Sequence, residues 1–251
     1  MTKIILSGIN GHMGQVIVNL AQGMEDITIV CGFDINAEEK NGIPVFASPK
    51  EFTGEADVIV DFSHPSAFDN LLDYAKDRHI PIVVCTTGLT QEQRDKLSAA
   101  RETLPVFFSA NMSVGVNLLM DLVKKAASVL SPDFDIEIVE KHHNQKIDAP
   151  SGTALAIADT IAEATPFDAE YTFDRHSVRK KRAKEEIGIH AVRGGTIVGE
   201  HTVIFAGCDE IIEVKHTAMS KEIFAAGALR AARFMVGKEN GMYSMKDVIE
   251  G

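Results

Sequence analysis

Lys3-Ile4-Ile5-Leu6-Ser7-Gly8-Ile9-Asn10-Gly11-His12-Met13-Gly14 passes from a short apolar run through three regularly spaced glycines into a stretch with helical periodicity over residues 12–23. A strand, a glycine turn and a helix in that order build one anion site. The glycine permits the tight turn and lets backbone approach a pyrophosphate, and the helix start offers unpaired N–H groups and the positive dipole end. The spacing is GxxGxxG rather than GxGxxG, and a turn serving chain geometry alone is the competing reading. Asp34 ends the second apolar run, about 20 residues beyond Gly14, where an acid accepts hydrogen bonds from ribose hydroxyls. Together these features point to a dinucleotide, with Gly8, Gly11, Gly14 and Asp34 as its candidate contacts.

Working outward, the runs Lys3–Ser7, Ile27–Phe33, Asp57–Phe62, Ile80–Cys85 and Val106–Ser109 are short and nearly continuous in hydrophobicity. Strands of a parallel sheet covered on both faces read this way. Helical stretches at 12–23, 65–78 and 90–101 lie between them, and Thr90-Gln91-Glu92-Gln93 fits a capping box. Repeated βα units predict a doubly wound sheet with right-handed crossovers. Ligands collect at the carboxyl ends of such strands. Asp61-Phe62-Ser63 and Cys85-Thr86-Thr87-Gly88 stand there, although Ser, Thr and Gly are also ordinary turn residues.

The pattern changes after Asn111. A helix is predicted from about Asn117 to Leu130, an alternating strand over Phe134–Glu140 and a helix over Ala154–Glu163. Ile187–Val192, Thr196–Val198, His201–Phe205 and Ile211–Lys215 read as strands at hairpin spacing. This half is α+β with a mostly antiparallel or mixed sheet. Phe224–Val236 is an Ala-rich helix that the sequence alone assigns to neither half. The basic run Arg175–Lys184 reads as a solvated loop.

A net charge of −11 over 251 residues opposes non-specific binding to nucleic acid or to an anionic membrane. Neither is expected as a partner, and an anionic substrate needs a local basic pocket. The three cysteines, Cys31, Cys85 and Cys208, form neither a CxxC pair nor a zinc spacing, which favours a reducing compartment. With no signal-peptide pattern and no run of roughly 18 apolar residues, a cytoplasmic protein is expected.

The densest chemistry lies in Glu140-Lys141-His142-His143-Asn144-Gln145-Lys146-Ile147-Asp148-Ala149-Pro150-Ser151-Gly152-Thr153. Two histidines and a lysine can donate protons or hold carboxylates, and Ser151-Gly152-Thr153 opens a helix, a second anion site. A lone histidine is usually structural, and a lysine usually reaches for solvent; here several such groups share one loop. Metal binding is a further reading. The adjacent His142 and His143 point apart and lack a nearby Cys or third His, so no metal is expected.

Residues 140–153 resemble the signature of the 4-hydroxy-tetrahydrodipicolinate (dihydrodipicolinate) reductase family. The resemblance continues in Gly8–Gly14, Asp61–Ser63, Thr86–Gly88, Ser109–Asn117 and Arg193–His201 and covers nearly the whole chain. It implies a Rossmann domain (1–112 and 218–251) and an α+β substrate and tetramerisation domain with a mixed sheet (113–217). It further implies a homotetramer and NAD(P)H-dependent reduction of a cyclic dicarboxylate in the diaminopimelate and lysine pathway. His142 is then the catalytic acid and Lys146 a substrate-binding, proton-donating group. His143, Lys146, Ser151, Gly152 and Thr153 surround the substrate carboxylates. Gly8, His12, Met13, Asp34, Phe62, Ser63, Thr86, Thr87, Gly88, Ala110, Asn111 and Met112 surround the cofactor. Two positions depart from the family. Members that use NADPH well often carry Arg after the acid, where this chain has Ile35 followed by Asn36, and many have Phe in place of Met112. Asp34 repels a 2′-phosphate and Ile35 offers no compensating charge, so the expectation leans to NADH, with Lys40 near enough in sequence to admit NADPH. The rival readings are another two-domain NAD(P)-dependent dehydrogenase and a dinucleotide-sensing regulator; neither needs the 140–153 loop.

Overall fold

A computed structural model describes residues 1–251 except Lys40 and Ala110. In chain order the elements are β1 (Thr2–Ser7), α1 (His12–Ala21), β2 (Ile27–Phe33), β3 (Val45–Phe46), β4 (Val58–Asp61), α2 (Pro65–Arg78), β5 (Ile82–Val84), α3 (Gln91–Ala100) and β6 (Pro105–Phe108). There follow α4 (Val114–Leu130), β7 (Asp135–His142), α5 (Gly152–Ala162), β8 (Glu170–Thr172), β9 (Glu186–Arg193), β10 (Gly199–Ala206) and β11 (Ile211–Ala218). The chain then forms α6 (Glu222–Met235), β12 (Gly241–Tyr243) and α7 (Met245–Glu250). It divides into two compact units, Met1–Val114 with Glu222–Gly251, and Gly115–Lys221.

The first unit holds a seven-stranded sheet in the order β12-β6-β5-β4-β1-β2-β3, with every pairing parallel. This is the Rossmann-type, doubly wound arrangement. The near-continuous apolar runs follow from burial on both faces. Ile4, Leu6, Val58 and Val60 pack on one side with residues of α1 and α6. Ile5, Ile59, Ile82 and Val84 pack on the other with residues of α2 and α3. The capping box forms as read: Thr90 Oγ1 accepts from the Gln93 amide, and Gln93 Oε1 accepts from the Thr90 amide. The Ala-rich helix α6 belongs to this unit, its small residues fitting close against the sheet.

The second unit holds a five-stranded mixed sheet in the order β11-β10-β7-β9-β8. β10 is antiparallel to both β7 and β11, whereas β7, β9 and β8 run parallel. Two expectations need correcting. Thr196–Val198 is a turn and coil segment. β9 and β10 do not form a hairpin, because β7 inserts between them and pairs with both; the expected hairpin pairing is found between β10 and β11. On the covered face the rows Ile136/Phe205/Ile187 and Ile138/Val203/Ile189 pack with α4 and α5.

The basic run is not simply a solvated loop. Arg182 donates to Asp135 (3.0 Å), Glu137 (3.1 Å) and the carbonyl oxygens of Ile136 (3.0 Å) and Ala183 (2.8 Å), and also bonds the Glu186 carbonyl. Arg175 grips both oxygens of Glu137 at 2.8 and 3.1 Å. These bonds fasten residues 175–184 onto the acidic residues that alternate along β7. Arg182→Ala strands several partly buried acceptors and is expected to lower unfolding free energy by ~1–3 kcal/mol. Arg179→Ala, at an exposed position, is expected to stay within ~0.5 kcal/mol. Urea denaturation of both variants measures the contrast.

Candidate functional site

In the first unit, β1 delivers the chain at Ser7 into Gly8, whose φ of +79° lies in the left-handed region. A Cβ there would sit 2.5 Å from the Phe62 carbonyl oxygen, and one at Gly14 would sit 2.2 Å from the Gly8 carbonyl oxygen. The glycines therefore let α1 start directly on the turn. Gly11 is the N-cap of α1; no side chain caps the helix and no acidic residue stands in its first turn. Uncapped N–H groups on a dipole end favour an anion. Beside them lies a cavity of about 510 Å³ lined in part by Gly8, Gly11, Asp34, Ile35, Phe62 and Ser63. The Asp34 carboxylate accepts from the amides of Asn10 (3.0 Å) and Asn36 (3.1 Å), so the glycine turn itself fixes its direction. Asn10 Nδ2 further donates to the Asn36 and Glu38 carbonyls, a pin that the sequence reading missed. Ile35 is 97% exposed. A phosphate-tolerant turn, an oriented acid and a cavity between them fit a dinucleotide.

The other strand ends divide into buttress and surface. Thr86 is buried and donates to Asp61 at 2.7 Å, and Asp61 also accepts from the Ser63 amide at 3.1 Å. This network ties β4 to the segment after β5. Thr87 and Gly88 are exposed. The Met112 side chain packs into the core with α6 rather than onto the surface. Asn111 Oδ1 accepts from the Ser113 amide at 2.9 Å. Ala110, also expected at the cofactor, and Lys40 lie outside the described residues. Burial pushes the Cys31 thiol up to about 12 and raises the Cys85 thiol as well, so neither is a ready nucleophile.

In the second unit, β7 alternates strictly between half-buried and buried positions, and the buried row reads Ile136, Ile138, Glu140, His142. The apolar face of the sheet thus turns polar at its end. Glu140 faces His201 across β10, and His142 pairs with Arg193 on β9. The Glu140 carboxylate takes four bonds: His142 Nδ1 at 2.6 Å, Arg193 Nη1 and Nη2 at 2.8 and 2.7 Å, and the Ser151 amide at 2.9 Å. Burial alone would raise this carboxyl, but the bonds from Arg193, His142 and Ser151 outweigh burial and hold it below its usual range. Ser151 caps α5, its Oγ accepting from the Ala154 amide at 3.1 Å, and lies 3.2 Å from His201 Nε2. The His142 and His201 rings meet edge to face with centroids 5.2 Å apart.

Lys146 Nζ lies 2.8 Å from Asp148 Oδ1. The Asp148 carboxyl is held below its usual range, chiefly by Lys146 and with a contribution from the Gly152 amide. Gly152 is exposed, with open space where a Cβ would stand. A carboxylate of the chain itself therefore sits on the lysine beside the N-terminus of α5, so the donors there suit a carboxylate ligand. The preceding loop is tied to the turn after β9: the Gly194 amide donates to the His142 carbonyl (2.9 Å) and the Asn144 amide to the Gly195 carbonyl (3.2 Å).

Comparison with known proteins matches this layout. Residues 2–112 fit the family model described as dihydrodipicolinate reductase, N-terminus, and residues 115–249 the model for its C-terminus. The chain belongs to the dihydrodipicolinate reductase family. It is 52% identical over 250 residues to a Clostridium novyi protein and 50% identical over 250 residues to one from Caldanaerobacter subterraneus, both named 4-hydroxy-tetrahydrodipicolinate reductase. Each match covers 100% of this chain and 99% of the relative. Among solved structures, a dipicolinate-bound dihydrodipicolinate reductase from Paenisporosarcina superposes with a TM-score of 0.83 at 25% identity, covering 97% of each chain. A Corynebacterium glutamicum myo-inositol dehydrogenase at 17% identity and a TM-score of 0.58 shares the fold alone.

The structure brings His142, Ser151 and the start of α5 together around Glu140, and places Lys146 on Asp148. His143 is half-buried next to His142. Sequence reading assigned no role to Glu140, Arg193 or His201. The signal was present for Glu140, an acid in phase with the buried residues of an alternating strand. Burial, with the nearby His142 charge adding to it, depresses His201 to about 4. Relative to an unfolded value near 6.5, the unfolded chain binds this proton more readily. His201 therefore leaves stability intact above about pH 6.5 and erodes it as pH falls toward 4. His201→Gln is expected to flatten the fall in melting temperature between pH 6.5 and 4 relative to the parent, as read by calorimetry.

Proposed function

We propose that the chain is an NAD(P)H-dependent 4-hydroxy-tetrahydrodipicolinate reductase that converts 4-hydroxy-tetrahydrodipicolinate to tetrahydrodipicolinate with loss of water in diaminopimelate and lysine biosynthesis. The observation that carries the reading is the 140–153 segment: a buried, carboxylate-held His142 beside a lysine and helix N-terminus that already accept a carboxylate, in a chain that matches the family end to end.

Residues 1–112 and 218–251 serve as the dinucleotide domain, and 113–217 as the substrate and tetramerisation domain. The compact units, divided at Val114/Gly115 and Lys221/Glu222, support this division. Gly8, Gly11 and Gly14 let the backbone approach the pyrophosphate, which the amides at the start of α1, those of His12 and Met13, would hold, and Asp34 would accept from the ribose hydroxyls. Phe62, Ser63, Thr86, Thr87, Gly88, Ala110, Asn111 and Met112 form the nicotinamide end, Thr86 and Met112 as its buried support. When bound, the dinucleotide would supply the hydride for an electrophilic ring carbon. Lys146, His143, Gly152 and Thr153 neutralise and orient the ring carboxylates, with Ser151 holding the helix start in place. His142 acts as the acid, and Lys146 binds substrate and donates a proton. Ile35 beside Asp34 favours NADH.

The protein acts in the cytoplasm as a homotetramer. Among the described residues no helix is long and apolar enough to cross a membrane. Leu118, Leu122, Val129, Ile211 and Ile212 of the second unit are apolar and exposed, as a subunit interface requires.

Freshly generated substrate is expected to drive oxidation of NADH at least as efficiently as of NADPH, in steady-state kcat/KM. A tenfold or larger preference for NADPH overturns the cofactor reading, and no turnover with either overturns the function. His142→Ala and Lys146→Ala are expected to lower kcat by ~10²–10⁴ while NADH binding stays close to the parent's. Pyridine-2,6-dicarboxylate, planar and not reducible, is expected to bind more tightly when NADH is present. Thr153→Val is expected to weaken the dicarboxylate more than NADH by calorimetry; equal losses would indicate a folding defect instead.

A further inference from the structure

We infer that Glu140, clamped by Arg193, is a positioning residue for the reaction: it fixes the His142 ring so that Nε2 alone is left to deliver the proton. This rests on the reading of His142 as the acid. The two Arg193 nitrogens and the Ser151 amide are obligate donors to the Glu140 carboxylate, and with His142 Nδ1 they occupy both of its oxygens. His142 Nδ1 and Arg193 Nη1 take Oε2, while Arg193 Nη2 and the Ser151 amide take Oε1. A carboxylate held this way is an acceptor only. The 2.6 Å contact therefore requires hydrogen on Nδ1, and Nε2 is the remaining polar atom of the ring. A histidine's free nitrogen is set by what its other nitrogen bonds.

The clamp is itself held. Arg193 Nη1 donates to the Val192 carbonyl at 2.8 Å, and Nη2 donates to the Asp148 carbonyl at 2.6 Å. One guanidinium thus joins the end of β9, the carboxylate that orients His142 and the backbone of the loop that carries Lys146. Space around the ring is restricted on the other side as well: a Cβ at Gly199 would lie 3.1 Å from Nε2. The titratable and charged groups that the structure sets against His142 are Glu140 on its own strand, Arg193 opposite it on β9 and His201 on β10, with Lys146 in the following loop acting electrostatically on His201.

The experiment uses the full chain with Glu140→Gln, His142→Ala and the double variant. Glu140→Gln keeps the side-chain shape but can present an N–H to Nδ1, which favours the wrong ring tautomer. Its kcat is expected to fall at least ~10-fold, short of the ~10²–10⁴ for losing the acid itself, with KM for substrate near the parent's. Loss of the neighbouring anion disfavours the protonated acid, so the alkaline limb of the kcat profile is expected to move to lower pH. In the double variant the loss is expected to match His142→Ala alone, because a positioning residue has nothing left to position. Additive losses, or a Glu140→Gln profile with an unmoved limb, overturn the inference. Near-parental turnover of His142→Ala overturns the catalytic reading itself; an impaired His142→Ala beside a fully active Glu140→Gln overturns only the role of Glu140. Should Glu140→Gln fail to fold, nitrogen NMR of the unaltered chain decides. A slowly exchanging, hydrogen-bonded Nδ1–H that disappears in His142→Asn is expected, and an imidazole with unprotonated Nδ1 overturns the inference.

Discussion

Taking an ionised carboxylate out of water costs several kcal/mol even after the surroundings relax, and Glu140 offsets that cost with donors from three separate parts of the second unit. β7 supplies His142, β9 supplies Arg193, and the start of α5 supplies the Ser151 amide. β7 and α5 follow one another in the chain, but Arg193 lies 53 positions from Glu140, so the carboxylate acts as a joint that ties a distant strand to the 140–153 segment. The same burial that makes the group expensive makes it directional, because a saturated carboxylate at low local dielectric tolerates little displacement of its partners. The parallel pairing of β7 with β9 puts His142 opposite Arg193, and the antiparallel pairing of β7 with β10 puts Glu140 opposite His201. Register and chemistry are in this sense one constraint.

The first unit works by a different economy of means. Its strands are apolar on both faces, so little specificity resides in the sheet itself. What distinguishes the ligand end is backbone: a left-handed glycine, an uncapped helix start and an acid whose two oxygens are bonded to amides. Asp34 is aimed by the turn that binds the other end of the same expected ligand. A change in the glycine turn therefore disturbs both contacts at once.

Much of this was readable from the chain alone. Continuous apolar runs such as Ile27–Phe33 marked doubly covered strands because both faces of that sheet are buried. The α2 span 65–78 was bounded by physical stops, Pro65 at its start and a left-handed His79 at its end. Strands β3, β8 and β12 span only two or three residues, too few for a period to show. The insertion of β7 between β9 and β10 was invisible for another reason: strand order is decided by long-range pairing, whereas hairpin spacing is local. The 140–153 segment stood out as chemistry, yet its organising acid did not, since an acid at a strand end resembles a solvated one until its partners are known. Arg193 lies 53 positions from Glu140. Arg182 was hidden likewise, because a run of basic residues does not disclose which of them are turned inward.

The first unit is assembled from two stretches with the second unit between them. Helix α6 contributes Ala225, Ala228, Leu229, Ala231, Ala232 and Met235 to the apolar layer over Ile4, Leu6, Val58 and Val60. During synthesis those sheet residues leave the ribosome more than a hundred positions before the helix that covers them. Until α6 arrives, that face of the sheet is covered only in part, by α1, while the continuous second unit already has all its own elements. Vectorial production thus favours completing the middle of this polypeptide before its beginning, and exposed apolar strands are the form in which such a nascent chain is prone to aggregation.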